Sequence, residues 1–384
     1  MKFLHGTAQM KLFSHALGFV LLLLAAMGCR QGRVAVTEFD GDTLRMKYAD
    51  NIVITRDSTM TKVELRNPWG DGILHRYWLV ARDAVGDFTH LEGTLVRVPL
   101  QRSVVFNTAH ASLLQMLDKT DAIAGVADLE YMLLPEIHRC VEAREISDCG
   151  NAMAPDVERI IALEADGILL SPFENSGGYG RLEKLGVPII ECAEYMETSA
   201  LGRAEWMRFY GLLFGCEERA DSLFNVVERE YLSRSSGVQD EGLSILTERL
   251  TGNTWYVAGG RSSVGRLIAD AGGRYIWADD GHSGSLPLSF EAVLDRAGDA
   301  DVWVFNHTGP MPLTREKLAA EHHGYAAFKA FREGNVYYVN SLQVPYFEEV
   351  SFRPDWLLRD YIIMLHPDSD PAKEKLKYFR KIEP

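Results

Sequence analysis

The sequence predicts an α/β protein of two Rossmann-like lobes joined by a long α-helix, with a small β-rich extension ahead of the first lobe. Three observations carry this. Short apolar runs alternate with helical patterns over residues 101–216, and the same rhythm returns over 236–384. Between them, Glu217 to Tyr231 has apolar residues at three- and four-residue steps (Ala220, Leu223, Phe224, Val227, Tyr231) and neither Pro nor Gly. Finally, 384 residues that are 47% hydrophobic and 24% charged hold enough apolar side chain for more than one core.

Taken in order, residues 29–100 read as linker and extension. Alternation in Thr43–Tyr48 and Asn51–Thr55 and the apolar run Tyr77–Val80 predict strands, and Asn67-Pro68-Trp69-Gly70-Asp71-Gly72 is turn chemistry. In the first lobe, strands are expected at Ser103–Phe106, Ala122–Val126, Gly167–Leu170 and Val187–Ile190. Helices are expected at Ala109–Leu117, with Thr108 as cap candidate, and at Val157–Leu163. Gly202–Phe214 reads as one helix. The linking helix, assigned to 217–235, is on the order of 25 Å long over its periodic part, enough to bridge two lobes. In the second lobe, strands are expected at Leu243–Leu246, Thr254–Val257, Val302–Phe305 and Val336–Val339. Helices are expected at Ser263–Ala271, Phe290–Ala297 and Trp356–Leu365.

The N-terminus predicts export. Lys2 and Lys11 precede an apolar run, Ala16–Met27, that is short for a membrane span and fits the core of a signal peptide occupying 1–28. Ala26 and Gly28 directly before Cys29 resemble a lipobox, which makes Cys29 the expected lipid attachment site. The protein is then anchored to a bacterial membrane, facing periplasm or cell exterior. Of the other cysteines, Cys140 and Cys149 lie close in a loop-like stretch and are the best candidate disulfide; the alternative is that all four are buried small hydrophobes.

A formal net charge of -14 with no basic stripe argues against nucleic-acid binding. Gly281-His282-Ser283-Gly284-Ser285 invites a serine-hydrolase reading but lacks the final Gly of a nucleophile elbow. Gly260–Leu267 spaces its glycines like a phosphate loop without the Lys-Ser/Thr that such a loop needs. No HExxH or Cys/His cluster is present, although scattered histidines leave bare zinc or manganese open. Aromatic and polar residues near strand ends are more telling. Tyr131, Phe173, Tyr179, Trp255, His282, His307 and Tyr346 are candidate cleft surfaces, with Thr108, His110, Arg203, Arg261 and Ser262 as polar or charged contacts.

Over roughly Gln101 to Pro367 the chain resembles the class III periplasmic binding proteins, those for ferric siderophores, haem and vitamin B12. Four stretches carry the resemblance: Ser103–Thr108 with Gly125-Val126; Asp156–Ile168, similar to the family's E-x-I-x-x-L-x-P-D-L-V segment with Ala165 for Pro; Ala271-Gly272-Gly273 followed by Leu288–Leu294; and Phe352-Arg353-Pro354-Asp355. The resemblance implies a non-enzymatic monomer that holds a bulky ligand between its lobes, an iron chelate or a corrinoid, and has no cofactor of its own. It implies delivery to an ABC permease dimer with its ATPase. Glu158 and Glu291 match the positions of the two permease-docking glutamates.

Overall fold

The computed structural model describes Phe39 and residues 41–174, 178–238, 241–309, 312–369 and 374–383. Cys29 and the expected signal peptide lie outside the described residues. Asp42–Pro384 is one compact unit.

The extension is a five-stranded sheet in chain order: Asp42–Leu44, Ile52–Arg56, Met60–Arg66, Ile73–Ala81 and Thr94–Val98. All pairs are antiparallel except the last. In Met60–Arg66 the buried side chains Thr61, Val63 and Leu65 alternate with more exposed ones, as a one-sided sheet requires. The first strand stops at Leu44, short of the predicted Tyr48. Beyond it the backbone turns its donors to a carboxylate: Lys47, Tyr48 and Ala49 N–H all donate to Glu205, at 2.9, 2.7 and 2.9 Å. Asp50 and Asn51 N–H donate in the same way to Glu197, at 2.9 and 2.8 Å. Gly202 lets the chain approach, since a Cβ there would stand 2.7 Å from Tyr48 O.

The first lobe is a five-stranded parallel sheet in the order Ile189–Glu191, Gly167–Leu170, Ser103–Val105, Ile123–Val126, Ser147–Asp148. The second has the order Arg274–Tyr275, Ser244–Thr247, Val302–His307, Val336–Asn340, Arg380–Lys381, with only the last strand antiparallel. Central strands such as Gly167–Leu170 and Ser244–Thr247 are buried throughout, which explains their unbroken apolar or small-residue runs. Thr254–Ala258, expected as a strand of the second lobe, joins Leu250–Thr251 and Ser285–Leu288 in a separate antiparallel sheet. Gly252, at φ +60°, closes the hairpin that turns it away.

The linking helix runs Glu217–Ser236 and buries Ala220, Phe224, Val227 and Tyr231, the residues whose spacing predicted it. It is tied to both lobes. Arg219 Nε donates to Met116 O at 3.1 Å on the first lobe, and Tyr231 OH donates to Asp270 at 2.7 Å on the second. Gly202–Phe214 is two helices, Ala200–Glu205 and Met207–Phe214, broken at Trp206, whose indole donates to Glu197. The cap of the helix Thr108–Met116 is Asn107, which accepts from Ala109 N–H at 2.8 Å; Thr108 is already helical.

The Cys140–Cys149 disulfide is not formed. Both thiols are free, as are those of Cys192 and Cys216. Cys140 packs with the main core, whereas Cys149 belongs to a separate cluster with Val104, Val157 and Ile168. Nearness in sequence had suggested the pair; the strand between them carries the two side chains to different apolar clusters.

Candidate ligand-binding cleft

Parallel strands end with their carboxyl ends at the same edge, so loops after them converge on one surface of each lobe. Here the two surfaces face each other. On the second lobe, Thr247-Glu248, Phe305-Asn306 and Val339 come from three neighbouring strand ends and line a cavity of about 430 Å³, closed on the other side by Ala200 and Arg203 of the first lobe. On the first lobe, Asn107, Thr108, Asp128, Tyr131, Glu194 and Tyr195 line a compartment of about 340 Å³. Arg203, Phe347 and Ser351 border both. A third hollow of about 710 Å³ adjoins the first-lobe compartment through Phe106 and Asn107, with Met153, Phe173, Tyr179 and Leu182 in its walls. These sizes lie in the range of small-molecule sites.

Arg203 is the charged centre. It projects from the helix Ala200–Glu205, and its Nε is sealed from solvent with no hydrogen-bond partner. Burial pushes its affinity for a proton below the usual arginine value, opposed by the Glu194 carboxylate and the Tyr346 phenol. Glu194 is itself buried and is turned toward His110, whose Nε2 lies 2.9 Å from Glu194 Oε1. The Tyr346 and Tyr361 phenols border the second-lobe cavity, and burial raises the pKa of both. Glu348, buried on the short helix Tyr346–Glu349, reaches to the first lobe. Its Oε1 accepts from Thr108 Oγ1 and from Leu133 N–H, each at 2.9 Å. The lobes are therefore joined at the cleft floor as well as by the linking helix.

The remaining candidates divide. Thr108, Tyr131, Phe173, Tyr179, Arg203 and Tyr346 line these hollows. His110 lies beneath the surface, behind Glu194. Trp255 is a core residue, fully buried against Trp303 and Phe328, so the sequence reading of it as a cleft surface is corrected. Ser262 is the cap of the helix Ser263–Asp270, accepting from Gly265 N–H at 3.1 Å. His307 is buried at its strand end beside Tyr338 and is not among the residues lining the cleft. Arg261 and His282 are exposed outside the hollows, His282 beside Asp280 at 3.1 Å. The Gly281–Ser285 stretch leads into the antiparallel strand Ser285–Leu288, not a strand-to-helix elbow. Sequence reasoning missed Glu194, Glu248, Phe347 and Glu348. Positions directly after the apolar runs ending at Leu246 and Ile190 were the available signal.

A family model for periplasmic binding proteins matches residues 104–341, more than half of the chain. The chain belongs to the periplasmic binding protein family. An uncharacterized lipoprotein of Methanocaldococcus jannaschii is 24% identical over 404 residues, covering 97% of this chain and all of the relative. Among solved structures, a possible iron-binding periplasmic solute-binding protein of Staphylococcus epidermidis shares 16% identity with a TM-score of 0.55, covering 72% of this chain and 100% of that one. A periplasmic haem-binding protein of Pseudomonas aeruginosa shares 16% identity with a TM-score of 0.56, covering 74% and 98%. At such identity these structures establish the fold. Family and fold alike are those of solute-binding proteins.

Proposed function

We propose that this chain is the lipid-anchored substrate-binding component of an ABC importer, which captures an iron complex between its lobes and delivers it to the permease. The observation that carries the ligand reading is Arg203, a half-buried residue at the junction of two compartments whose sealed Nε lacks a partner. A charge so placed is stabilised when a ligand's oxygen-rich face supplies the missing acceptors. Among the described residues, no three His, Cys, Asp or Glu side chains are grouped to hold an ion. This favours a metal that arrives inside its own chelator over a bare zinc or manganese ion.

A haem or corrinoid is the second reading. The aromatic-walled hollow of about 710 Å³ beside the first-lobe compartment favours it, because a flat macrocycle needs apolar faces on which to lie. Native mass spectrometry of protein purified from its own cells tests both. A retained ferric chelate supports the first reading, a porphyrin or corrinoid replaces it with the second, and a bare metal ion overturns both.

The anchor rests on Cys29 and on the lipoprotein relative. No helix among the described residues is long and apolar enough to cross a membrane. Cys29→Ala is expected to move the protein from the membrane fraction to the soluble one; unchanged membrane association overturns the anchor.

A further inference from the structure

Glu248 follows the strand Ser244–Thr247 and lines the second-lobe cavity. Its φ is +62°, the left-handed region in which a glutamate is strained. Asp128 of the first lobe also has a positive φ and borders the cleft, but its carboxylate accepts from Ala152 N–H at 2.9 Å and so serves its own loop. Glu248 has no such excuse. Among the described residues only its backbone is engaged: its N–H donates to Val304 O at 2.8 Å and its carbonyl accepts from Trp303 Nε1 at 2.7 Å. Trp255 Nε1 pins the preceding carbonyl of Thr247 at 3.0 Å. The two indoles thus hold the turn in its strained form.

No hydrogen bond or ion pair among the described residues satisfies the Glu248 carboxylate. Its neighbour Arg249 is drawn away to Glu321 and stacks over Phe305. Glu248 is exposed to solvent at the cavity mouth, and the packed walls around it raise its pKa, with Arg249 opposing. In the same cavity Asn306 Oδ1 is sealed from solvent without a partner. The second-lobe wall therefore presents one sealed acceptor without a donor, Asn306 Oδ1, beside a carboxylate, Glu248, that is open to the cavity and solvent. The first-lobe wall presents the opposite, the Arg203 guanidinium. Tyr346 stands within electrostatic reach of both charges.

We infer that Glu248 is a specificity-determining residue of the cleft, binding a protonated amine or similar N–H arm of a ligand whose oxygen-rich face meets Arg203. This rests on the iron-complex reading and narrows it to chelates that carry a cationic or donor arm. Gly or Asn would suit the left-handed turn better; Arg144 and Glu164 share a positive φ, and Glu248 is set apart from them by lining the cavity opposite Arg203.

The test uses two probes, a ferric trihydroxamate with a free primary ammonium and the same complex with that amine acetylated. Both are titrated calorimetrically into the wild-type full-length protein and into Glu248→Gln. Wild type is expected to bind the ammonium form at least about tenfold more tightly, the separation one well-placed charged contact gives. Glu248→Gln is expected to lose that preference while retaining the acetylated form. Glu248→Asn suits the left-handed turn; it is expected to lose the preference and melt at a higher temperature. It carries the comparison should Glu248→Gln fold poorly. Equal binding of both probes by wild type overturns the inference and leaves the iron-complex reading standing. A preference that survives both substitutions also overturns it. Binding of neither probe by wild type overturns the inference together with a hydroxamate cargo.

Discussion

Arg203 and Asp301 show how one kind of interaction serves two ends. Asp301 is a folding residue. Burial alone would raise its pKa, but Lys329 at 2.6 Å and the Ser244 hydroxyl and N–H at 2.6 and 2.9 Å outweigh it and hold the value at about 2. A carboxylate whose folded pKa lies below its unfolded one stabilises the fold above the unfolded value, and that stability is lost as pH falls through the folded value. Asp301→Asn is therefore expected to lower the melting temperature at pH 7 and to flatten its fall between about pH 4 and pH 2, read by thermal melts across that range. Arg203 behaves in the opposite sense. Its Nε has no hydrogen-bond partner and Glu194 and Tyr346 offset its desolvation only in part, so Arg203→Gln is expected to leave the melting temperature unchanged or higher. The same substitution should weaken capture of a ferric chelate by about 1.5–3 kcal/mol, roughly a tenfold to hundredfold rise in Kd by calorimetry. A variant that lost stability and kept its affinity would make Arg203 a structural residue.

At the scale of elements, the extension is fastened by buried carboxylates that accept backbone N–H groups. Glu205 takes three and Glu197 two. Glu205→Ala would leave donors without partners, and each buried orphan costs about 1–3 kcal/mol. The expected outcome is a loss on the order of 3 kcal/mol in denaturant unfolding, with ligand affinity little changed. The linking helix predicts restricted motion. Sharp bending requires Pro, Gly pairs or a bulge, and Glu217–Ser236 contains neither Pro nor Gly. With Glu348 also tying the lobes at Thr108 and Leu133, small-angle scattering of the apo and chelate-loaded protein should show nearly the same radius of gyration. A marked compaction on loading would mean that the helix is not the fixed spacer between lobes.

For the whole molecule, the proposed delivery to a permease makes two exposed carboxylates the candidate docking residues. Glu158 and Glu291 each lie in the first turn of a helix and are exposed, Glu158 with Arg181 3.2 Å away. A carboxylate there also favours the helix dipole, by about 0.3–1 kcal/mol, and that role needs no partner protein. Docking into a basic permease surface instead affects encounter and register. The double variant Glu158→Ala with Glu291→Ala is therefore expected to retain ligand affinity, to lose little stability, and to abolish or sharply slow uptake in reconstituted vesicles. Wild-type uptake would reduce both residues to helix-start carboxylates.

Periodicity by itself determined most of the architecture. Strands such as Gly167–Leu170 and helices such as Phe290–Ala297 fall where the apolar runs placed them, because burial on one or both faces writes itself into the local pattern. The spacing of Ala220, Phe224, Val227 and Tyr231 similarly marked the linking helix. Half the candidate cleft was legible for the same reason: Thr108, Tyr131, Phe173, Tyr179, Arg203 and Tyr346 sit near element ends, where parallel strands converge. What remained depended on contacts distant in sequence. Trp255 reads like a cleft aromatic until Trp303, Phe328 and Tyr325 are seen to close around it. Glu248 and Glu348 read like surface carboxylates. A strained turn pinned by indoles presents one to the cavity, and the other reaches across to hydrogen-bond Thr108, 240 residues away in the chain. A side chain's local pattern reports whether it is buried, but not which distant segment buries it, and only the folded chain supplies those partners.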